Sequence, residues 1–155
     1  MALRSRLALL LLVALFAPAC GDDITGPTGQ RAALAVTVNP NPVPVSQSPL
    51  TGVVSVGYKI VITETNGGSG ELLFVSSQIY DPETGQQVAL NYFDGADLIV
   101  FVGTKKVEPL ATIEVAQTLS YVLPDFRTAA QLTVNVQMKD DQGNLLNQSL
   151  LVKIE

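Results

Sequence analysis

Histidine and tryptophan are absent from this 155-residue chain, and cysteine occurs once, at Cys20. Without His there is no Ser-His-Asp or Cys-His catalytic arrangement and no Cys/His zinc site. A single cysteine cannot close an intrachain disulfide. Charge is also scarce: 15% of residues are charged, fourteen acidic against nine basic, for a formal −5. The longest basic run is Lys105-Lys106, so no phosphate-tracking face is marked and nucleic acid is not an expected partner. Ser-x-x-Lys does not occur either, which removes the Ser-Lys type of nucleophile.

Long hydrophobic runs are missing as well. The apolar segment Leu7 to Phe16 would rise only about 15 Å as a helix, half of a roughly 30 Å hydrocarbon core. It follows Arg4 and Arg6 and precedes Ala17-Pro18-Ala19, the layout of a secretory signal peptide over residues 1–19. Ala17-Pro18-Ala19 satisfies the ordinary A-x-A cleavage rule. Continued to Cys20, the same residues resemble the lipobox of bacterial lipoprotein precursors. That resemblance implies cleavage before Cys20, a diacylglyceryl group on its thiol and an acyl group on its new amine, with no other cofactor. Two or more acyl chains hold a protein stably on a membrane, where one is marginal. The expected product is exported and membrane-attached, facing the periplasm or the cell surface. The alternative is a soluble secreted binding domain, adhesin-like or inhibitor-like, cut by ordinary signal peptidase.

Loss of residues 1–19 leaves seven basic and fourteen acidic residues. Anionic headgroups would repel such a chain, so attachment is expected through the acyl chains. Residues 20–31 then comprise the lipidated cysteine and a Gly- and Pro-containing polar stretch, GDDITGPTGQR, which reads as a flexible linker.

Residues 32–155 are dominated by period two. Leu34, Val36 and Val38 alternate, then Tyr58, Ile60 and Ile62, then Leu72 and Phe74, then Val88 and Leu90. Ile113, Val115, Leu119, Tyr121 and Leu123 predict a long strand with a bulge near Ala116-Gln117. Leu132 to Met138 and Leu146 to Ile154 predict a closing hairpin about Asp140-Asp141-Gln142-Gly143-Asn144. Leu98 to Val102 is apolar throughout, and periodicity leaves it open between strand and helical turn. Short strands at regular spacing, with scarcely any helical pattern, predict one all-β domain, a single antiparallel β-sandwich of about seven strands. The run from Val107-Glu108-Pro109 through the final hairpin resembles the closing strands of immunoglobulin-like and fibronectin-III-like domains. The resemblance implies a non-catalytic binding or structural module.

Candidate site residues are few. Asp140, Asp141 and Asn144, and separately Asp94 with Asp97, could offer oxygen ligands to Ca²⁺, although Asp, Asn and Gly are also what tight turns use. Alanine at Asp140 or Asp141 is expected to change stability by no more than about 1 kcal/mol if the turn is only a turn. Paired carboxylates could serve a glycosidase only across a cleft. Tyr80, Tyr92 and Phe93, with Asp94, could form a recognition surface for an envelope protein or polysaccharide. Gly67-Gly68-Ser69-Gly70 lacks the Gly-Lys-Ser/Thr of a phosphate loop and reads as a hairpin turn.

Overall fold

The computed structural model describes residues 29–155. Cys20, the signal segment and most of the linker lie outside the described residues. The strands are β1 (Leu34–Asn39), β2 (Val45–Gln47), β3 (Val54–Glu64), β4 (Gly70–Tyr80), β5 (Gln87–Asp94), β6 (Lys106–Val107), β7 (Thr112–Tyr121), β8 (Ala130–Asp140) and β9 (Leu145–Ile154). One helix, α1 (Gly95–Val102), lies between β5 and β6.

They build two antiparallel sheets. In the first, β1 and β2 both pair with one edge of β3, and β7 pairs with the other. In the second, the order is β5-β4-β8-β9, with β6 continuing the β5 edge along β4. The nine strands thus occupy seven positions, three facing four. The edge strand of the second sheet lies beside β4, whereas antibody constant domains place it beside the counterpart of β7. Between β1 and β2 the chain leaves the first sheet: Val43 forms a parallel bridge to Ile154 of β9. Its N–H donates to the Lys153 carbonyl at 3.0 Å and its carbonyl accepts from Glu155 N–H at 3.1 Å.

Alternation places Val54, Val56, Tyr58, Ile60 and Ile62 of β3 on the inner face. They meet Leu72, Val75 and Ile79 of β4 and Leu132, Val134, Val136 and Met138 of β8 in one core cluster. Truncating a side chain such as Ile60, fully buried, costs about 2–5 kcal/mol. The core runs through both sheets, which defines an immunoglobulin-like β-sandwich. At the β7–β8 connection the Tyr121 hydroxyl donates to the Thr128 carbonyl, pinning that connection as the tyrosine corner does in antibody-type domains. Burial pushes the Tyr121 phenol up to about 12.

Two local expectations change. The bulge expected near Ala116-Gln117 is absent, since β7 pairs with β3 in unbroken register from Thr112 to Tyr121. Gln117 itself takes the inward position, where its Oε1 accepts from the Tyr58 hydroxyl at 3.2 Å. A polar residue in an inner slot looked like a slip in the alternation. The irregularities sit in the second sheet instead, where Leu73 of β4 is the extra residue against β8 and Val88 of β5 is the extra residue against β4. The undecided run Leu98 to Val102 is helical because its ends are capped. Asp94 accepts from the Ala96 and Asp97 N–H groups, Asp97 accepts from the Asp94 N–H, and Gly103 closes the helix in the left-handed conformation.

Candidate binding face

Three carboxylates are buried where strands end, and each accepts from the turn that follows. Glu64, only 1% exposed, accepts four backbone N–H groups: Ala33 and Asn66 on Oε1, Gly67 and Leu110 on Oε2, at 2.7–3.0 Å. Burial alone would raise this carboxyl, and the four donors overcome it to hold it at about 2. Glu64 thereby ties together the chain entering the domain, the β3–β4 turn and the β6–β7 loop. Asp81 receives both Arg127 guanidinium nitrogens at 3.1 Å, the Glu83 N–H and the Thr84 hydroxyl. The Arg127 bonds foremost, with the Glu83 N–H, hold its carboxyl at about 2.

Asp140 is the third. Its carboxylate accepts from the Asn144 side chain and from the Gln142 and Asn144 N–H groups, the Asn144 amide contributing most to a lowered pKa. Asp141 pairs with the Ser69 hydroxyl. Of the suggested calcium ligands, Asp140 and Asn144 thus bond to each other within their turn, and Asp94 and Asp97 cap α1. Among the described residues no group of three His, Cys, Asp or Glu converges on one point. The Gly67–Gly70 segment is the β3–β4 turn. A Cβ on Gly68 would lie 2.5 Å from Ala32 N and Gln30 O, so the incoming chain needs glycine there.

The four residues suggested as a recognition surface part company. Tyr80 closes β4 and donates its hydroxyl to Gln78 Oε1 at 2.6 Å. Phe93 packs against the core and meets Phe101 of α1 with ring centroids 5.4 Å apart. Asp94 caps α1. Tyr92 lies on an open surface, 51% exposed, with its ring stacked on Phe74 at 5.5 Å and 25°.

That pair borders a depression of about 410 Å³ on the outer face of the β5-β4-β8-β9 sheet. Cross-strand register arranges the face in rows: Phe74–Gln137–Asn147, then Tyr92–Ser76–Asn135–Ser149, then Leu90–Gln78–Thr133–Leu151. Gln137 donates to Asn147 Oδ1 at 2.7 Å. These rows contain amides, hydroxyls, two aromatic rings and two leucines, and no charge. Ionic groups appear only at their margins, such as Asp94 beside Phe74 and Glu71–Lys139 beyond it. Gln78 and Asn135 were not singled out from sequence, and Asn147 and Ser149 stand out there only as the ends of an N-x-S match. The signal was present in β8, whose outward positions read Gln131, Thr133, Asn135 and Gln137 before the charged Lys139.

The two packed antiparallel sheets place the chain among immunoglobulin-like β-sandwiches. The putative ApaA protein of Bordetella pertussis superposes with a TM-score of 0.58 at 14% identity, over 80% of this chain and 95% of that one. Structural-genomics target SoR45 gives 0.56 at 14% identity, over 77% and 84%. Identities this low establish the fold alone. A CARDB domain from Pyrococcus furiosus, solved with di-metal ions, covers 80% of this chain and 89% of its own at 11% identity. Its TM-score of 0.38 carries no metal site across. No protein-family model matches the chain, and no curated protein matches it in sequence.

Proposed function

We propose that this protein is a lipid-anchored component of a bacterial cell envelope whose sandwich is a non-catalytic binding module for uncharged polysaccharide. The observation that carries the ligand class is the uncharged centre of the outer face of β5-β4-β8-β9, the rows Tyr92–Ser76–Asn135–Ser149 and Leu90–Gln78–Thr133–Leu151, with charges confined to its margins. Side-chain amides and hydroxyls supply both donors and acceptors to sugar hydroxyls, while the exposed Tyr92 ring offers a flat apolar surface to sugar C–H groups. An ionic ligand would find no counter-charge in those rows. The buried carboxylates support a non-catalytic role, since each is held ionised and engaged by its own turn rather than facing a cleft.

The anchor rests on the sequence, in which the only cysteine directly follows a small-residue cleavage signal. Intact mass of the mature protein from its membrane fraction is expected to match residues 20–155 plus two or three acyl chains, lost in Cys20→Ala. An unmodified mass in the medium would instead support the soluble secreted reading. For the ligand, affinity electrophoresis through neutral and acidic polysaccharides is expected to show retardation by neutral ones only. That retardation should disappear in Tyr92→Ala and Asn135→Ala. Equal retardation of parent and variants would refute the assignment.

A further inference from the structure

We infer that α1 makes a second membrane contact, its apolar side chains docking on the lipid surface that holds the acylated Cys20. This inference rests on the anchoring proposed above. Six of the eight residues of α1, GADLIVFV, are apolar, a composition found in helices covered on all sides. Only Leu98 is buried, filling the sandwich edge. Ile99, Val100 and Phe101 stay 51%, 75% and 69% exposed, a run of neighbouring large apolar groups that marks a contact surface.

Topology places this helix at the end of the sandwich where the chain enters. α1 leaves β5 after Asp94, opposite Phe74, and returns to β6 at Lys106, opposite Glu71, near the start of β4. The chain enters beside that same end: Ala33 and Leu110 donate to the same Glu64 carboxylate, and Leu110 is itself an exposed large apolar residue. Nine residue steps connect Cys20 to Gly29, at most about 30 Å even fully extended. That is shorter than the roughly 36 Å of an eleven-residue strand such as β3. An acylated Cys20 therefore keeps this end near the headgroups. Lys105 and Lys106 beside α1 are paired with Glu71 and Glu108 at 2.8 and 2.9 Å, so the flank has little free charge and suits a lipid surface of neutral headgroups.

The absence of Trp makes the test direct. Val100→Trp introduces a single fluorophore at an exposed position, and Leu50→Trp places one at the opposite end, in the β2–β3 connection. The full lipidated chain is reconstituted into phosphatidylcholine vesicles with or without brominated acyl chains, and its mass is measured in parallel. A blue-shifted Val100→Trp emission quenched by the brominated lipid, with Leu50→Trp unaffected, is the expected result. Acylated protein whose Val100→Trp emission remains that of water-exposed indole would overturn the inference and leave the anchor standing. An unacylated mass would overturn both. A blue shift that grows with protein concentration in Cys20→Ala, without vesicles, would assign the helix to a second copy instead.

Discussion

Replacing Glu64 by Gln changes the volume hardly at all but removes a charge and converts one oxygen into an NH₂ group. Four N–H donors face that carboxylate, so whichever way the amide is turned, two donors meet a donor. Hydrogen bonds to a charged group are worth about 1.5–3 kcal/mol each. Two lost bonds cost about 3–6 kcal/mol before relaxation. The protonation route gives a similar figure. A carboxyl held at about 2 rather than 4.5 stabilises the fold by about 3 kcal/mol at neutral pH. Because the folded pKa is the lower one, this stability is complete above pH 4.5 and is lost as pH falls through 2.

Urea denaturation of parent and Glu64→Gln at several pH values reads both quantities. At pH 7 the variant should unfold at a midpoint lower by about 1–3 M, taking m-values of about 1–3 kcal/mol per molar urea. The gap between the two proteins should then narrow between pH 4.5 and 2, where Glu64 takes up a proton in the unfolded parent while it is still ionised in the folded one. A gap below about 1 kcal/mol at pH 7, or one that is flat across that window, would refute the role given to Glu64.

Tyr58→Phe alone should cost about 1–3 kcal/mol by stripping Gln117 Oε1 of its donor, and Tyr58→Phe with Gln117→Leu should recover that loss in chemical denaturation. The recovery is expected because Gln117 Nε2 is already buried without a partner. Arg127→Met should move acid unfolding upward from near pH 2 toward pH 4, since Asp81 loses the guanidinium that keeps it ionised; circular dichroism against pH measures this. Asp140→Ala should lower Tm far more than Asp141→Ala, because only Asp140 is buried and accepts from its whole turn. Tyr92→Ala should abolish retardation by neutral polysaccharide while lowering Tm only modestly, since its half-exposed ring gives up a stacking contact with Phe74 worth about 0.5–1.5 kcal/mol.

The sandwich was legible because period two is enforced by the core, which marks slots such as Ile60, Ile62, Leu132 and Val134. Phe74 and Leu90 fit the same alternation but lie on the outer face, because Leu73 and Val88 each add a residue to the register. The candidate face was less legible, because an outward Gln or Asn is individually unremarked and becomes a surface only when register sets Asn135 beside Ser76 and Ser149. Glu64 was missed altogether. Nothing in sequence tells a buried glutamate from a solvated one until the N–H groups of Ala33 and Leu110, 31 and 46 positions away, arrive around it. The equal reading given to Asp140 and Asp141 did not anticipate, for the same reason, that only Asp140 is buried. Which of two adjacent aspartates turns inward is decided by strand phase at the end of β8.

The detour at Val43 has a mechanical consequence. A pull on the chain at residue 29 draws β1 along its own axis, so the six pairs from Leu34–Glu64 to Asn39–Lys59 resist together in shear rather than opening one after another. Tension that passes them arrives at Val43, whose two hydrogen bonds hand it across to β9 and thus to the sheet carrying the candidate face. Anchor and ligand would then be joined by strands in series, and the force path between them bypasses the loops.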